Sequence, residues 1–175
     1  VFVPLCGKTR DIAWLLSKGF RVAGAELSGL AVRDLFDELG AEPQITQHGD
    51  LRLYSATGVD IFVGDIFDLS PNALGPIDAV FDRASFVALA ETMRVRYARH
   101  LVRLTQYAPQ LLVTFEYDQT AMPGPPFSIT TDEILQHYQE VFEISALESV
   151  DVKGGLKGKC PAKENVWLLR QAAPV

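Results

Sequence analysis

Positive charge is scarce in this chain. Sixteen Lys and Arg stand against 22 Asp and Glu, a net charge of −6 over 175 residues. Proteins that grip a phosphate backbone carry the opposite balance, so nucleic acid is not an expected partner. Cysteine is nearly absent as well: Cys6 and Cys160 are the only two. Two thiols cannot staple a secreted disulfide scaffold, and a reducing cytoplasm is the expected setting. The three histidines, His48, His100 and His137, are scattered and lack zinc-ligand spacing with either cysteine, so no metal site is expected. No apolar run approaches the roughly 20 residues that span a bilayer. Residues 1–5 have neither a basic flank nor a long apolar core, so they are not expected to be a signal peptide. The chain opens without Met inside a strand-like run, and a segment preceding it is expected.

What is present is a globular composition. Hydrophobic residues make up 48% and charged residues 22%, enough to bury roughly two-thirds of the unfolded surface in one domain over 1–175. Apolar runs at 1–5, 20–26, 59–63, 77–81 and 111–115 read as strands, and helical patterns alternate with them. That alternation predicts βαβ units and an α/β fold with a mainly parallel sheet. Ile12, Leu15 and Leu16 recur at helical spacing before Gly19. Ser28 caps a second helix that Gly40 ends. A short extra strand is expected at 51–54, and a long helix over 91–106. Residues 118–128 hold Pro123, Gly124, Pro125 and Pro126 and form a loop. Thr131 or Asp132 caps the next helix. Runs at 142–152 and 164–170, joined by a Gly- and Lys-rich turn, predict a terminal antiparallel hairpin. No internal repeat or linker interrupts the chain.

Ligands of open α/β sheets bind beyond the carboxyl ends of the strands. After strand one, Gly7 would let backbone approach a ligand closely. Gly7-Lys8-Thr9 imitates the end of a phosphate-binding loop. The full motif needs another Gly five residues earlier, where Phe2 stands. Glu26, 19 residues beyond Gly7, could accept from ribose hydroxyls, or could serve as the carboxylate before a helix start. Asp65 could accept from an adenine amino group with Ile66 against the ring. The alternative is an Asp-rich turn. Arg83, after strand four, could hold a carboxylate or an electron-rich substrate, or pair internally with Asp82. Arg96, Arg99 and Arg103 share a solvated helical face. Trp14 is expected in the core.

Together these residues carry a resemblance. Val3-Pro4-Leu5-Cys6-Gly7-Lys8 is similar to the first motif of thiopurine S-methyltransferases, which stands in place of a multi-glycine loop. Gly24-Ala25-Glu26-Leu27-Ser28, Ile66-Phe67-Asp68-Leu69, Phe81-Asp82-Arg83-Ala84 and Pro123-Gly124-Pro125-Pro126-Phe127 follow in the family's order. The resemblance implies a Rossmann-like class I methyltransferase fold: a seven-stranded, mainly parallel sheet with a C-terminal antiparallel hairpin and helices on both faces. It implies S-adenosyl-L-methionine as methyl donor, S-adenosyl-L-homocysteine as product, and a thiol as acceptor. Cofactor contacts would fall on Leu5, Gly7, Glu26, Asp65, Ile66 and Arg83. Arg83 would also orient the substrate, with no certain catalytic base. Pro125, Pro126 and Phe127 would form part of a substrate lid. A cytoplasmic monomer is expected. Family members carry an N-terminal helical segment before the first strand, and it is this segment that is expected to precede residue 1. Relatives acting on selenium, tellurium, halide or thiocyanate anions, and a non-catalytic adenosine-ligand binder, share the same framework.

Overall fold

Strand-forming apolar runs and amphipathic helices alternate as the periodicity dictates. In the computed structural model, which describes residues 1–171, they build two compact units. The first comprises Val1–Val80 with Leu104–Gln106; the second comprises Phe81–Arg103 and the residues from Tyr107 onward.

In the first unit, β1 (Phe2–Val3) is followed by α1 (Arg10–Ser17) and β2 (Val22–Glu26). Thr9 caps α1, its hydroxyl accepting from the Asp11 N–H, and the helix buries Ile12 and Leu15. α2 (Gly29–Leu39) starts where Ser28 Oγ accepts from the Ala31 N–H. It stops at Gly40, whose φ of 62° is the left-handed geometry glycine tolerates best. β3 (Gln44–His48) and β4 (Leu51–Ala56) form a hairpin, and β5 (Val59–Val63) returns parallel to β2. The four-residue α3 (Pro71–Leu74) precedes β6 (Val80–Arg83), whose Val80 pairs with Phe2.

The second unit takes the remainder of β6 and adds α4 (Glu91–Leu104), β7 (Gln110–Tyr117) and α5 (Thr131–Tyr138). It ends in the hairpin of β8 (Glu143–Asp151) and β9 (Ala162–Arg170). β9 pairs antiparallel with both β7 and β8. Phe86, Tyr97, Leu101, Leu112 and Tyr138 are fully buried at its centre.

The hydrogen-bonded strand order is β3-β4-β5-β2-β1-β6-β7-β9-β8. The sheet therefore has nine strands rather than the expected seven, and it is mixed rather than mainly parallel. The excess comes from the β3–β4 hairpin, of which β4 is the short extra strand expected at 51–54 and β3 is unexpected. All five residues of β3 are exposed, so no apolar alternation marks it in the sequence. Trp14 also departs from expectation: it is 58% exposed. It sits two residues from buried Ile12, on the outer side of α1, with Lys18 Nζ over its ring. The cap of α5 is Thr130, not Thr131 or Asp132. β8 closes the strand order at one end. Most of its residues are exposed, and its pairing shifts register at Leu147.

Candidate active site

The carboxyl ends of β1, β2 and β5 are neighbours in the first unit, and one residue ties their loops together. Glu26 Oε2 accepts from the Gly7 N–H at 2.7 Å, and its Oε1 accepts from the Ser28 N–H at 2.9 Å. Its main-chain carbonyl accepts from the Gly64 N–H at 3.0 Å. Both roles weighed for this carboxylate are thus open to it. It steadies the start of α2, and each oxygen keeps a lone pair for a further donor. The first loop is bent to meet it: Leu5 has φ 42° and Gly7 φ 53°. A non-glycine residue in the left-handed region carries a conformational cost that recurs at binding sites. A Cβ added at Gly7 would meet no atom within 4 Å, so the space over this backbone is open.

Asp65 is exposed and closes a turn, its Oδ1 accepting from the Phe67 N–H at 3.0 Å. This is the Asp-turn alternative raised by the sequence, with one carboxylate oxygen turned to the chain's own backbone. Ile66 is 4% exposed beside it. Cys6 is buried, and burial, reinforced by the Glu26 charge, pushes its thiol up to about 12. It stays protonated at neutral pH and packs rather than attacks.

Arg83, Pro125, Pro126 and Phe127 lie in the second unit. Arg83 ends β6 with its side chain exposed, directly after Asp82, which is completely buried. Asp82 Oδ2 accepts from the Tyr97 hydroxyl at 2.7 Å and Oδ1 from the Phe86 N–H at 3.2 Å. Asp82 therefore belongs to a structural network under the 83–86 turn. Burial raises its carboxyl above the usual range, opposed by the hydrogen bonds from Tyr97, Phe86 and Ser85. The folded state then holds a proton that the unfolded state releases. Stability accordingly falls as pH climbs from the ordinary carboxylate range through the raised folded value. Asp82→Asn mimics the neutral acid and is expected to flatten this decline. Urea midpoints at pH 5, 6 and 7 measure it, and equal slopes in both proteins would assign the effect to another group.

The 118–128 loop is tied down by its own polar side chains. Tyr117 OH donates to the Pro126 carbonyl at 2.7 Å, and Gln119 Nε2 to the Met122 carbonyl at 2.6 Å. Ser128 N–H donates to Gln119 Oε1 at 2.8 Å. Sequence reading missed one participant, Arg94, buried beneath Phe127 and paired with Glu133. A signal for it existed: positions 94, 97, 98 and 101 form the inward stripe of α4, and a cation in such a stripe needs a partner. Among the described residues, no three His, Cys, Asp or Glu side chains are arranged to hold a metal ion. No helix among them is long and apolar enough to cross a membrane.

The chain superposes on a SAM-dependent methyltransferase from Methanosarcina mazei with a TM-score of 0.70 at 14% identity, covering 98% of this chain and 92% of that one. A Burkholderia thailandensis 1,6-didemethyltoxoflavin-N1-methyltransferase, solved with S-adenosylhomocysteine, gives 0.62 at 16% identity, covering 98% and 71%. The fold is that of the SAM-dependent methyltransferases. The family model for thiopurine S-methyltransferase matches residues 1–172. The chain is 60% identical to the thiopurine S-methyltransferase of Xanthobacter autotrophicus over 172 residues, 98% of this chain and 81% of that protein. It is 47% identical to that of Gluconobacter oxydans, covering 99% and 79%. The chain belongs to the thiopurine S-methyltransferase family.

Proposed function

We propose that this chain moves a methyl group from S-adenosyl-L-methionine to the sulfur of thiopurines and other aromatic thiols. The observation that carries the reading is the Glu26 carboxylate bonded to Gly7 N–H beneath open space. Bound there, the donor supplies an electrophilic methyl on a sulfonium. Glu26 accepts from the ribose hydroxyls with its spare lone pairs. The Leu5–Gly7 backbone leaves room for the methionyl portion. The turn at Asp65 and Ile66 flanks the adenine, through backbone more than through the engaged carboxylate. The family model runs through both compact units, which supports one methyltransferase domain over the matched residues.

Aromatic thiols ionise near neutral pH, so no strong general base is assigned. Arg83 orients the thiolate and favours its charge without exchanging protons. Holding sulfur, methyl carbon and leaving sulfur in line is the main source of rate. Pro125, Pro126 and Phe127 cover the acceptor and exclude water; the prolines limit the entropy lost on ordering. The two free, buried cysteines support a reducing, cytoplasmic setting, and the acidic balance supports a monomer that does not bind nucleic acid.

The test is a methyl-transfer assay on a thiopurine panel. Arg83→Ala is expected to lower kcat/KM by about 10- to 100-fold, a larger loss than it causes in S-adenosylhomocysteine affinity. Transfer kinetics equal to wild type with donor binding intact would remove Arg83 from the reaction. A wild-type chain that binds the donor yet methylates no thiol would remove the acceptor class.

A further inference from the structure

A buried ion pair sits beside the 123–127 strap, and stability alone does not explain it. Arg94 is 5% exposed on the inward stripe of α4. Its Nε donates to Glu133 Oε1 on α5, and its Nη1 donates to the Leu89 carbonyl at 2.7 Å. Pairs of this kind are often no more stabilising than well-packed apolar side chains of similar volume. The arrangement does fix one thing closely. The Arg94 guanidinium carbon lies 5.9 Å from the ring centroids of both Phe86 and Phe127. That is within the range of cation–π attraction.

Phe127 is bounded on its other contacts too. Its N–H donates to the Val87 carbonyl at 2.6 Å. A Cβ at Gly124 would come within 2.6 Å of the Phe127 ring, so the strap folds against that ring only because Gly124 has none. From the hairpin loop, Lys157 Nζ donates to the Pro125 carbonyl at 2.8 Å. A cavity of about 520 Å³ is lined by Arg94, Glu133, Pro123 and Phe127, so the pair and the strap share one wall.

We propose that Arg94 is a positioning residue for the thiol acceptor: held by Glu133, it fixes the Phe127 ring and with it the 123–127 strap. The proposal rests on the reading of residues 125–127 as the cover over the acceptor. A guanidinium suits this place because one rigid fork donates to two fixed oxygens while its carbon stays within cation–π range of both rings, a geometry the shorter point charge of lysine does not reproduce.

The experiment compares Phe127→Ala, Arg94→Met, Arg94→Lys and the double variant Arg94→Met/Phe127→Ala in steady-state transfer to a thiopurine. Calorimetry with S-adenosylhomocysteine accompanies it. Phe127→Ala and Arg94→Met are each expected to raise the thiol KM by about tenfold, with kcat changed less than about threefold. Arg94→Lys should not rescue, donor affinity should stay at the wild-type value, and the double variant should be no worse than either single one. Arg94→Met/Glu133→Leu removes both charges together and keeps the test usable if Arg94→Met alone folds poorly. A raised KM in Phe127→Ala with none in either Arg94→Met background overturns the positioning role and leaves the cover intact. Multiplying effects in the double variant overturn it as well. An unchanged KM in Phe127→Ala overturns the cover, and the proposal with it.

Discussion

Glu26→Ala is expected to weaken S-adenosylhomocysteine binding by about 10- to 100-fold, the scale of losing one or two hydrogen bonds to a charged group. The loss has two parts. On the proposed reading the ribose loses its carboxylate acceptor, and the Gly7 and Ser28 N–H groups lose the acceptor that draws their loops together. Glu26→Gln separates them. A glutamine keeps one acceptor oxygen, but its amide nitrogen must face one of two backbone donors, so one loop is released. Titration calorimetry of the three proteins should rank wild type above Gln and Gln above Ala. Affinity for the Ala variant within about threefold of wild type would mean that this acid does not hold the donor.

Gly64→Ala should give the largest loss of stability among single substitutions near these loops. Gly64 has φ 146°, and a Cβ there would overlap Leu51 Cδ2. Leu51 is itself 2% exposed and has little room to yield. Backbone strain of about 1–3 kcal/mol combines with overpacking of similar size. A fall in melting temperature of roughly 5–15 °C follows. Gly75→Ala is the comparison. It has φ 76° with no atom within 4 Å of the added carbon, so it carries the strain without the overlap. Thermal denaturation of both variants decides the matter: equal losses would show that the Leu51 contact contributes nothing.

The parts of the fold that declared themselves in the sequence are those where local chemistry and burial agree. Ser28 and Gly40 bracket α2 because one side chain caps an N–H and the other residue tolerates a left-handed turn; both are local effects. β5 reads as a buried strand because four of its five residues are buried. β3 was illegible because it is a fully exposed strand held by pairing with β4, which leaves no mark in hydrophobic periodicity. Trp14 misled because a large apolar side chain need not be buried when its helix already has a buried face. At the site, Gly7 and Glu26 were marked by their positions after two strands, and their hydrogen bond at 2.7 Å joins the two loops. The α4 stripe marks Arg94 as a buried cation, but its partner is 39 residues away, a distance that only the fold spans.

The outermost strand β8 also has a bearing on how the molecule behaves among copies of itself. Nine consecutive residues at the end of a sheet would ordinarily be a template for another chain to add to. The irregularity at Leu147 divides this row into two runs of four, 143–146 and 148–151, and twists one against the other. Glu143, Glu148 and Asp151 place negative charge along both runs. A second copy approaching that border would meet like charge and a broken ladder, so this edge is guarded against strand addition.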